Sequence, residues 1–199
     1  MIKNNFKILY VSLAVVIADQ VSKVAVKGFS IPFLKIYHTG MFEGERIPII
    51  GNFFRLTFIE NPGMAFGFDP GLDMKIWISL FSLIASAGLF IYFYFIRNKS
   101  FVLRLAIALI FGGAVGNLID RIFYGVFYQY APLFYGKVVD FLDVNFFKFN
   151  LFGRTFDRWP IFNIADSAVT IGVLILIFFY RTETIEDEKE ETPATETNP

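Results

Sequence analysis

Charged residues divide this 199-residue chain into four apolar stretches separated by polar or aromatic connections. Crossing a bilayer core takes roughly 20 apolar residues. The clearest candidate lies between Lys75 and Arg97, where IWISLFSLIASAGLFIYFYFI carries no charge. A second runs from about Phe101 to Ile119, with Arg104 near its start. A third, about Ile161 to Tyr180, is apolar except for Asn163, Asp166 and small polar residues. The N-terminal stretch, about Phe6 to Val26, is weaker because Asp19, Gln20 and Lys23 occupy its second half.

That first stretch has two readings. Lys3 and Lys7 ahead of an apolar run resemble a secretory signal, but no small-x-small cleavage site follows and Asp19 arrives early. A retained helix fits better. Asp19 and Lys23 then stand four apart with the acid nearer the N-terminus, the favourable order for a pair on one helix face. Paired charge near a helix end costs far less than lone charge at the bilayer centre.

Lysine and arginine in short flanking segments fix orientation. Lys3 and Lys7 flank the first helix, Arg97, Lys99 and Arg104 crowd the turn between the second and third, and Arg181 ends the fourth. These regions are expected in the cytoplasm, with long connections at about 28–74 and 121–160 outside. The second connection holds five basic residues, but long segments obey the rule less strictly. Asp19, Asp120 and Asp166 then all fall at the outer ends of their helices.

The outer connections carry patterns of their own. Phe54, Leu56 and Phe58 alternate with Arg55, Thr57 and Ile59, the period of a strand, before the turn residues Asn61-Pro62-Gly63. FFKFNLFG, Phe146 to Gly153, alternates similarly. Phe123 to Tyr135 is rich in Phe and Tyr, as suits a segment at headgroup level, and Trp77 and Trp159 stand at expected outer helix ends. The expected fold is thus mainly α: four transmembrane helices, a small extracytoplasmic β-sheet and an interfacial segment. Residues 1–181 read as one membrane domain without repeats. The acidic, Thr-rich stretch 182–199 reads as a disordered cytoplasmic tail.

Composition narrows the chemistry. The chain is 55% hydrophobic and 19% aromatic, more apolar than soluble domains usually are. Its net charge is zero, so no overall field draws it to nucleic acid. It has no cysteine, which removes disulfides, thiolate metal sites and a thiol nucleophile. His38 is its only histidine, leaving neither a Ser-His-Asp triad nor an H-E-x-x-H zinc site plausible.

Polar residues in the apolar helices are the remaining candidates. Gly112 and Gly116 form a small-xxx-small pair, which by itself signals close helix packing. Asn117 shares a helix face with Gly113 and Arg121, and Asn117, Asp120 and Arg121 together at one helix end go beyond packing. Arg121 could neutralise Asp120, or hold a carbonyl or phosphate with its planar fork. Asn163, Asp166 and Thr170 form one polar stripe on the last helix. A satisfied interhelical hydrogen bond would explain it, but intramembrane carboxyls are functional by default. Asp140 and Asp143, in VVDFLD, read as ordinary loop acids, and composition does not choose between them and Asp157. Two carboxyls held about 3 Å apart cannot both ionise, and such a pair can activate water against an amide without metal, thiol or imidazole.

Read together, these segments resemble lipoprotein signal peptidase (signal peptidase II), a bacterial membrane aspartic endopeptidase. Five blocks match in order: Asp19-Gln-Val-Ser-Lys23, Asn61-Pro-Gly63-Met-Ala-Phe-Gly67, Gly112-Gly-Ala-Val-Gly-Asn-Leu-Ile-Asp-Arg121, Val138-Val-Asp-Phe141 and Phe162-Asn-Ile-Ala-Asp166. The resemblance implies that Asp140 and Asp166 are catalytic. It implies supporting or substrate-binding roles for Asn61, Gly63, Asn117, Asp120, Arg121 and Asn163, with Asp19 and Lys23 bracing the first helix. It further implies hydrolysis of diacylglyceryl-modified prolipoproteins just before the lipidated cysteine, in the cytoplasmic (inner) membrane, by a monomer without metal or organic cofactor. Membrane lipid and prolipoprotein are the implied partners, and nucleic acid is not one.

The chain departs from the family pattern in its long first outer connection and in the aromatic insert Phe123 to Tyr135, which lengthens the tether of Asp140. From the residues alone, a non-enzymatic lipopeptide binder, an inactive relative or a small proton-coupled transporter competes with the peptidase.

Overall fold

A computed structural model of the chain describes residues 5–63, 71–145, 149–151, 154–156 and 158–180. Met64 to Gly67 of the second block, Asp157 and the segment 182–199 lie outside the described residues. A 3-10 turn, Asn5–Ile8, leads into α1, Leu9–Lys27. Strands β1 (Phe29–Ile31), β2 (Ile36–His38), β3 (Arg46–Ile50) and β4 (Phe54–Asn61) follow. Then come α2 (Gly71–Ile96), α3 (Phe101–Ile119), a π-helical turn (Asp120–Tyr124) and the short α4 (Gly125–Phe127). The chain continues through β5 (Val138–Val144), β6 (Phe149–Leu151), β7 (Arg154–Phe156) and α5 (Ile164–Ile175), which runs into a second π-helical turn, Leu176–Tyr180.

Among the described residues, three helical stretches are long and apolar enough to cross a membrane: Phe6–Lys27, Met74–Ile96 and Phe101–Phe127. A fourth apolar helix, Ile164–Phe179, is shorter. It starts at Ile164 rather than near Ile161 because Asn163 caps it: the Asn163 side chain accepts from the Asp166 amide, and the Asp166 side chain accepts from the Asn163 amide. The third helix runs beyond Ile119, so the first residues of the expected 121–160 connection are helical. Its π-helical turn presents the Arg121 carbonyl to the Gly136 amide at 2.9 Å, which ties the aromatic insert back onto the helix.

α3 is the central helix, packed against α1, α2 and α5. Its glycines permit this. A Cβ on Gly112 would fall 2.9 Å from the Ser12 backbone, and one on Gly116 2.7 Å from Asp19 Oδ2. A Cβ on Gly113 would overlap the Ala165 carbonyl oxygen. The close approach expected of a small-xxx-small pattern thus serves α1 on one side and α5 on the other.

Above one end of the helices, β3, β4 and β5 form an antiparallel sheet, with β1–β2 and β6–β7 as separate hairpins. β4 lies where alternation predicts it, but both Thr57 and Phe58 are buried. The β4–β5 register shifts between Leu56 and Ile59, and this irregularity turns two successive side chains inward. The residues around Asp140 and Asp143, read from sequence as loop, are strand β5, buried over nearly its whole length. A strand buried on both faces shows a continuous apolar run rather than alternation, so its signal is easily missed.

The helices also meet through charge. Lys23 is fully buried, with Nζ 2.8 Å from Asp19 Oδ2, 2.8 Å from Asp120 Oδ2 and 2.9 Å from Asn117 Oδ1. Asp19 Oδ1 accepts the Ala165 amide at 2.9 Å, joining α1 to the first turn of α5. Gln20 donates to Asp120 Oδ1 at 2.8 Å and accepts from the Tyr124 hydroxyl at 3.0 Å. Asp120 therefore pairs with Lys23, not with Arg121, whose Nη1 donates to the Asn117 carbonyl at 3.2 Å.

Removing one partner from a buried ionic cluster leaves uncompensated charge, a loss of about 3–5 kcal/mol. Lys23→Met is expected to lower the thermal unfolding midpoint of the detergent-solubilised chain accordingly. Gly113→Val should cost at least about 1–3 kcal/mol by overpacking the α3–α5 contact. Gly88→Ala on α2, where a Cβ meets nothing within 4 Å, should leave the midpoint unchanged or raise it in the same assay.

Candidate active site

Asn163 organises the site. The end of β5 and the start of α5 come together through the Leu142↔Phe162 bridge, where Phe162 accepts from and donates to the β5 backbone. Asn163 is consequently fully buried between two acids. Its Nδ2 donates to Asp140 Oδ1 at 2.6 Å, and its backbone amide donates to Asp166 Oδ2 at 3.2 Å. The same Nδ2 lies 3.0 Å from Asn117 Oδ1. One asparagine thereby touches both carboxylates and the helix that supports them.

Each acid has a second amide partner. Asn61, the last residue of β4, donates from Nδ2 to Asp140 Oδ2 at 3.1 Å. Asn117 donates from Nδ2 to Asp166 Oδ1 at 2.7 Å while its Oδ1 accepts from Lys23. Gly63 holds Asn61 in turn: its amide donates to Asn61 Oδ1 at 3.0 Å, and its φ of +103° suits only glycine without strain. The charge of Arg121 acts on Asp120, Asp166 and Asp140 together. Asp166 is only partly buried, whereas Asp140 is 2% exposed.

The surroundings of Asp140 set its acidity. Burial, and then the negative charge of Asp166, push its carboxyl up to about 7, against the opposing pull of Asn61, Lys23 and Asn163. Asp143, three residues along the same strand, points the other way and behaves oppositely. Burial would raise its pKa, but hydrogen bonds from Thr57 at 2.7 Å, Arg158 at 2.5 Å and Arg55 at 3.1 Å hold it below the usual range. Asp143 clasps β4 to the segment at Arg158; Asp140 faces the helices. Strand geometry makes that division, since residues three apart point to opposite faces.

All ten residues to which the family resemblance gives a role lie on one connected framework. Asp140, Asp166, Asn61, Asn117 and Asn163 make direct side-chain contacts, with Gly63 behind Asn61. Asp19, Lys23 and Asp120 form the layer beneath Asn117, and Arg121 borders both. Gln20 belongs to the same framework without a role implied by the resemblance, although it sits inside the first block and its long polar side chain on an apolar helix is a signal. Its amide reaches Asp19, Asp120 and the Gly116 carbonyl. Among the described residues there is no group of three or more His, Asp or Glu side chains that could hold a metal ion.

Comparison with known proteins gives one answer. The family model for signal peptidase (SPase) II matches residues 11–181. The lipoprotein signal peptidase of Desulfitobacterium hafniense strain DCB-2 is 35% identical over 187 residues, covering 92% of this chain and 99% of that protein. The lipoprotein signal peptidase of Chlorobium phaeobacteroides strain BS1 is 38% identical over 136 residues, 68% of this chain and 77% of that one. The structure of a bacterial membrane enzyme determined by the in meso method at 2.3 Å resolution superposes with a TM-score of 0.59 at 30% identity, covering 96% of this chain and 94% of the other. A match over nearly the whole chain, to relatives this similar and to a solved membrane enzyme of the same fold, establishes that the chain belongs to the signal peptidase II family of membrane proteases.

Proposed function

We propose that this chain removes the signal peptide from diacylglyceryl-modified prolipoproteins, using Asp140 and Asp166 as a dyad that shares one proton. The observation that carries this reading is Asn163, which donates to both carboxylates at once and so links two acids from distant parts of the chain. Asparagine amides suit the task. They satisfy carboxylate oxygens without bringing positive charge, so the acids remain coupled instead of being neutralised by a lysine or arginine.

The chemistry follows from that coupling. With one negative charge already present, ionising the second carboxyl is costly, and the proton stays with the pair to near neutral pH. The ionised member takes a proton from water as it attacks the scissile carbonyl, while the protonated member donates to the carbonyl oxygen. As the tetrahedral species collapses, the C–N bond breaks and a proton from the dyad reaches the leaving amine. Burial favours the proton on Asp140 in the resting enzyme. The buried Lys23 cluster holds Asn117, which in turn orients Asp166. The scheme calls for no metal or organic cofactor.

The substrate is a hydrophobic helix with attached lipid, so its scissile bond lies near a membrane boundary. Four crossings by α1, α2, α3 and α5, with both termini in the cytoplasm, put the sheet and the dyad at the outer face of the bacterial inner membrane. The basic turn Arg97 to Arg104 supports this orientation. At about 1.5 Å per residue, Ile164–Phe179 is short for a crossing, but its start at the dyad requires only that the active site lie slightly inside the headgroup layer. Residues 1–181 then form one membrane domain, acting as a monomer with lipid and prolipoprotein as partners and no role for nucleic acid.

Asp140→Asn and Asp166→Asn should each reduce cleavage of a lipidated prolipoprotein by the purified enzyme at least about a thousandfold, since each removes one half of a proton exchange. Unchanged unfolding midpoints would separate this loss from misfolding; survival of cleavage in either variant removes that aspartate from the mechanism. Asp143→Asn should weaken stability rather than the chemical step. For the wild type, kcat/KM should fall above about pH 7, where Asp140 loses its proton and both acids become charged. A rate still rising through pH 9 would contradict the shared proton.

A further inference from the structure

The β1–β2 hairpin, residues Phe29 to His38, forms no part of the dyad framework. Its tip runs Pro32-Phe33-Leu34-Lys35-Ile36-Tyr37, and every one of these residues is exposed. Phe33 is 84% and Tyr37 78% exposed, with Leu34 and Ile36 beside them. Contiguous aliphatic and aromatic surface of this kind is rare where a protein meets water. Nor does the hairpin fold down over the core: a cavity of about 520 Å³ separates it from Phe127, Tyr128 and Gln129.

The hairpin's attachment shows which way it faces. On α1, Tyr10, Leu13, Ile17 and Val21 form an exposed apolar stripe at successive helical turns, the side that meets lipid if α1 crosses the membrane. Ala25 is the next position on that stripe and is also exposed. The His38 ring nitrogen Nε2 lies 2.8 Å from the Ala25 carbonyl, so the base of the hairpin hangs on the lipid side of α1. Its apolar tip therefore continues the stripe. Lys35 sits among the apolar residues with φ +53°, a position from which a long amine can reach a phosphate while its stem stays in the apolar layer.

We propose that the β1–β2 hairpin is a tongue that inserts Phe33, Leu34, Ile36 and Tyr37 into the phospholipid interface beside the end of α1 to which His38 ties it. The proposal rests on the reading that α1 crosses the bilayer, and the two can be tested separately. Because the chain has no cysteine, single labelling sites are clean. Leu34→Cys, Val21→Cys and Lys99→Cys chains would each carry a bimane label after reconstitution into phosphatidylcholine vesicles. Lys99 lies exposed in the polar turn between α2 and α3.

Lipids bearing a shallow nitroxide should quench the Leu34 label about threefold more than the Lys99 label, as for a residue at headgroup depth. Quenching at Val21 with none at Leu34 overturns the tongue alone. An unquenched Val21 label overturns the crossing of α1 and the tongue with it. Disulfide-linked dimers of unlabelled Leu34→Cys chains, formed in vesicles in place of lipid quenching, would assign the patch to a second copy and also overturn the proposal.

Discussion

A single ammonium group, buried between α1 and α3, sets the conditions for everything above it. Lys23 cannot be hydrated where it sits, so it must be surrounded by acceptors, and three elements supply them: α1 with Asp19, and α3 and its π-helical turn with Asn117 and Asp120. Two carboxylates around one cation leave a surplus negative charge, which amide donors share out: Ala165 to Asp19, Gln20 and the Val139 amide to Asp120. Two of these donors, Ala165 and Val139, stand next to the catalytic candidates Asp166 and Asp140 on α5 and β5. The need to pair and hydrogen-bond every one of these buried polar groups is therefore what registers the helices and the strand against each other.

That constraint explains why so much of the candidate framework is legible in the sequence. Polar residues on apolar helices are expensive, so each must have a reason, and Asp19, Lys23, Asn117, Asp120, Asn163 and Asp166 all announced themselves by cost alone. Their partners were harder to read. Arg121 stands next to Asp120 in sequence and was the natural cation for it, yet successive helical positions point apart, and Lys23 reaches across from α1 instead. Helical spacing shows which residues share a face; it does not show which face meets which.

The sheet was less legible for a related reason. β4 alternated and was found; β5 did not, because a strand covered on both sides has no polar face to mark its period. With β5 unrecognised, Asp140 and Asp143 were equivalent acids in a loop. As strand residues they are opposites, one turned toward the amides of Asn61 and Asn163, the other toward Arg55, Thr57 and Arg158. The hairpin β1–β2 left almost no periodic trace, being three residues per strand. The family resemblance, rather than spacing, separated Asp140 from its neighbour.

Asn163 performs two jobs with one side chain: Oδ1 starts the final helix, and Nδ2 reaches Asp140. The first job is local to the helix start, but the second can be done only once the C-terminal helix has docked against β5 and α3. During biogenesis, a chain whose last segment has not yet joined the bundle leaves Asp140 without its Asn163 donor and apart from Asp166. If the two acids act as proposed, such a half-assembled protein is proteolytically silent, and hydrolytic power arrives only once assembly is complete.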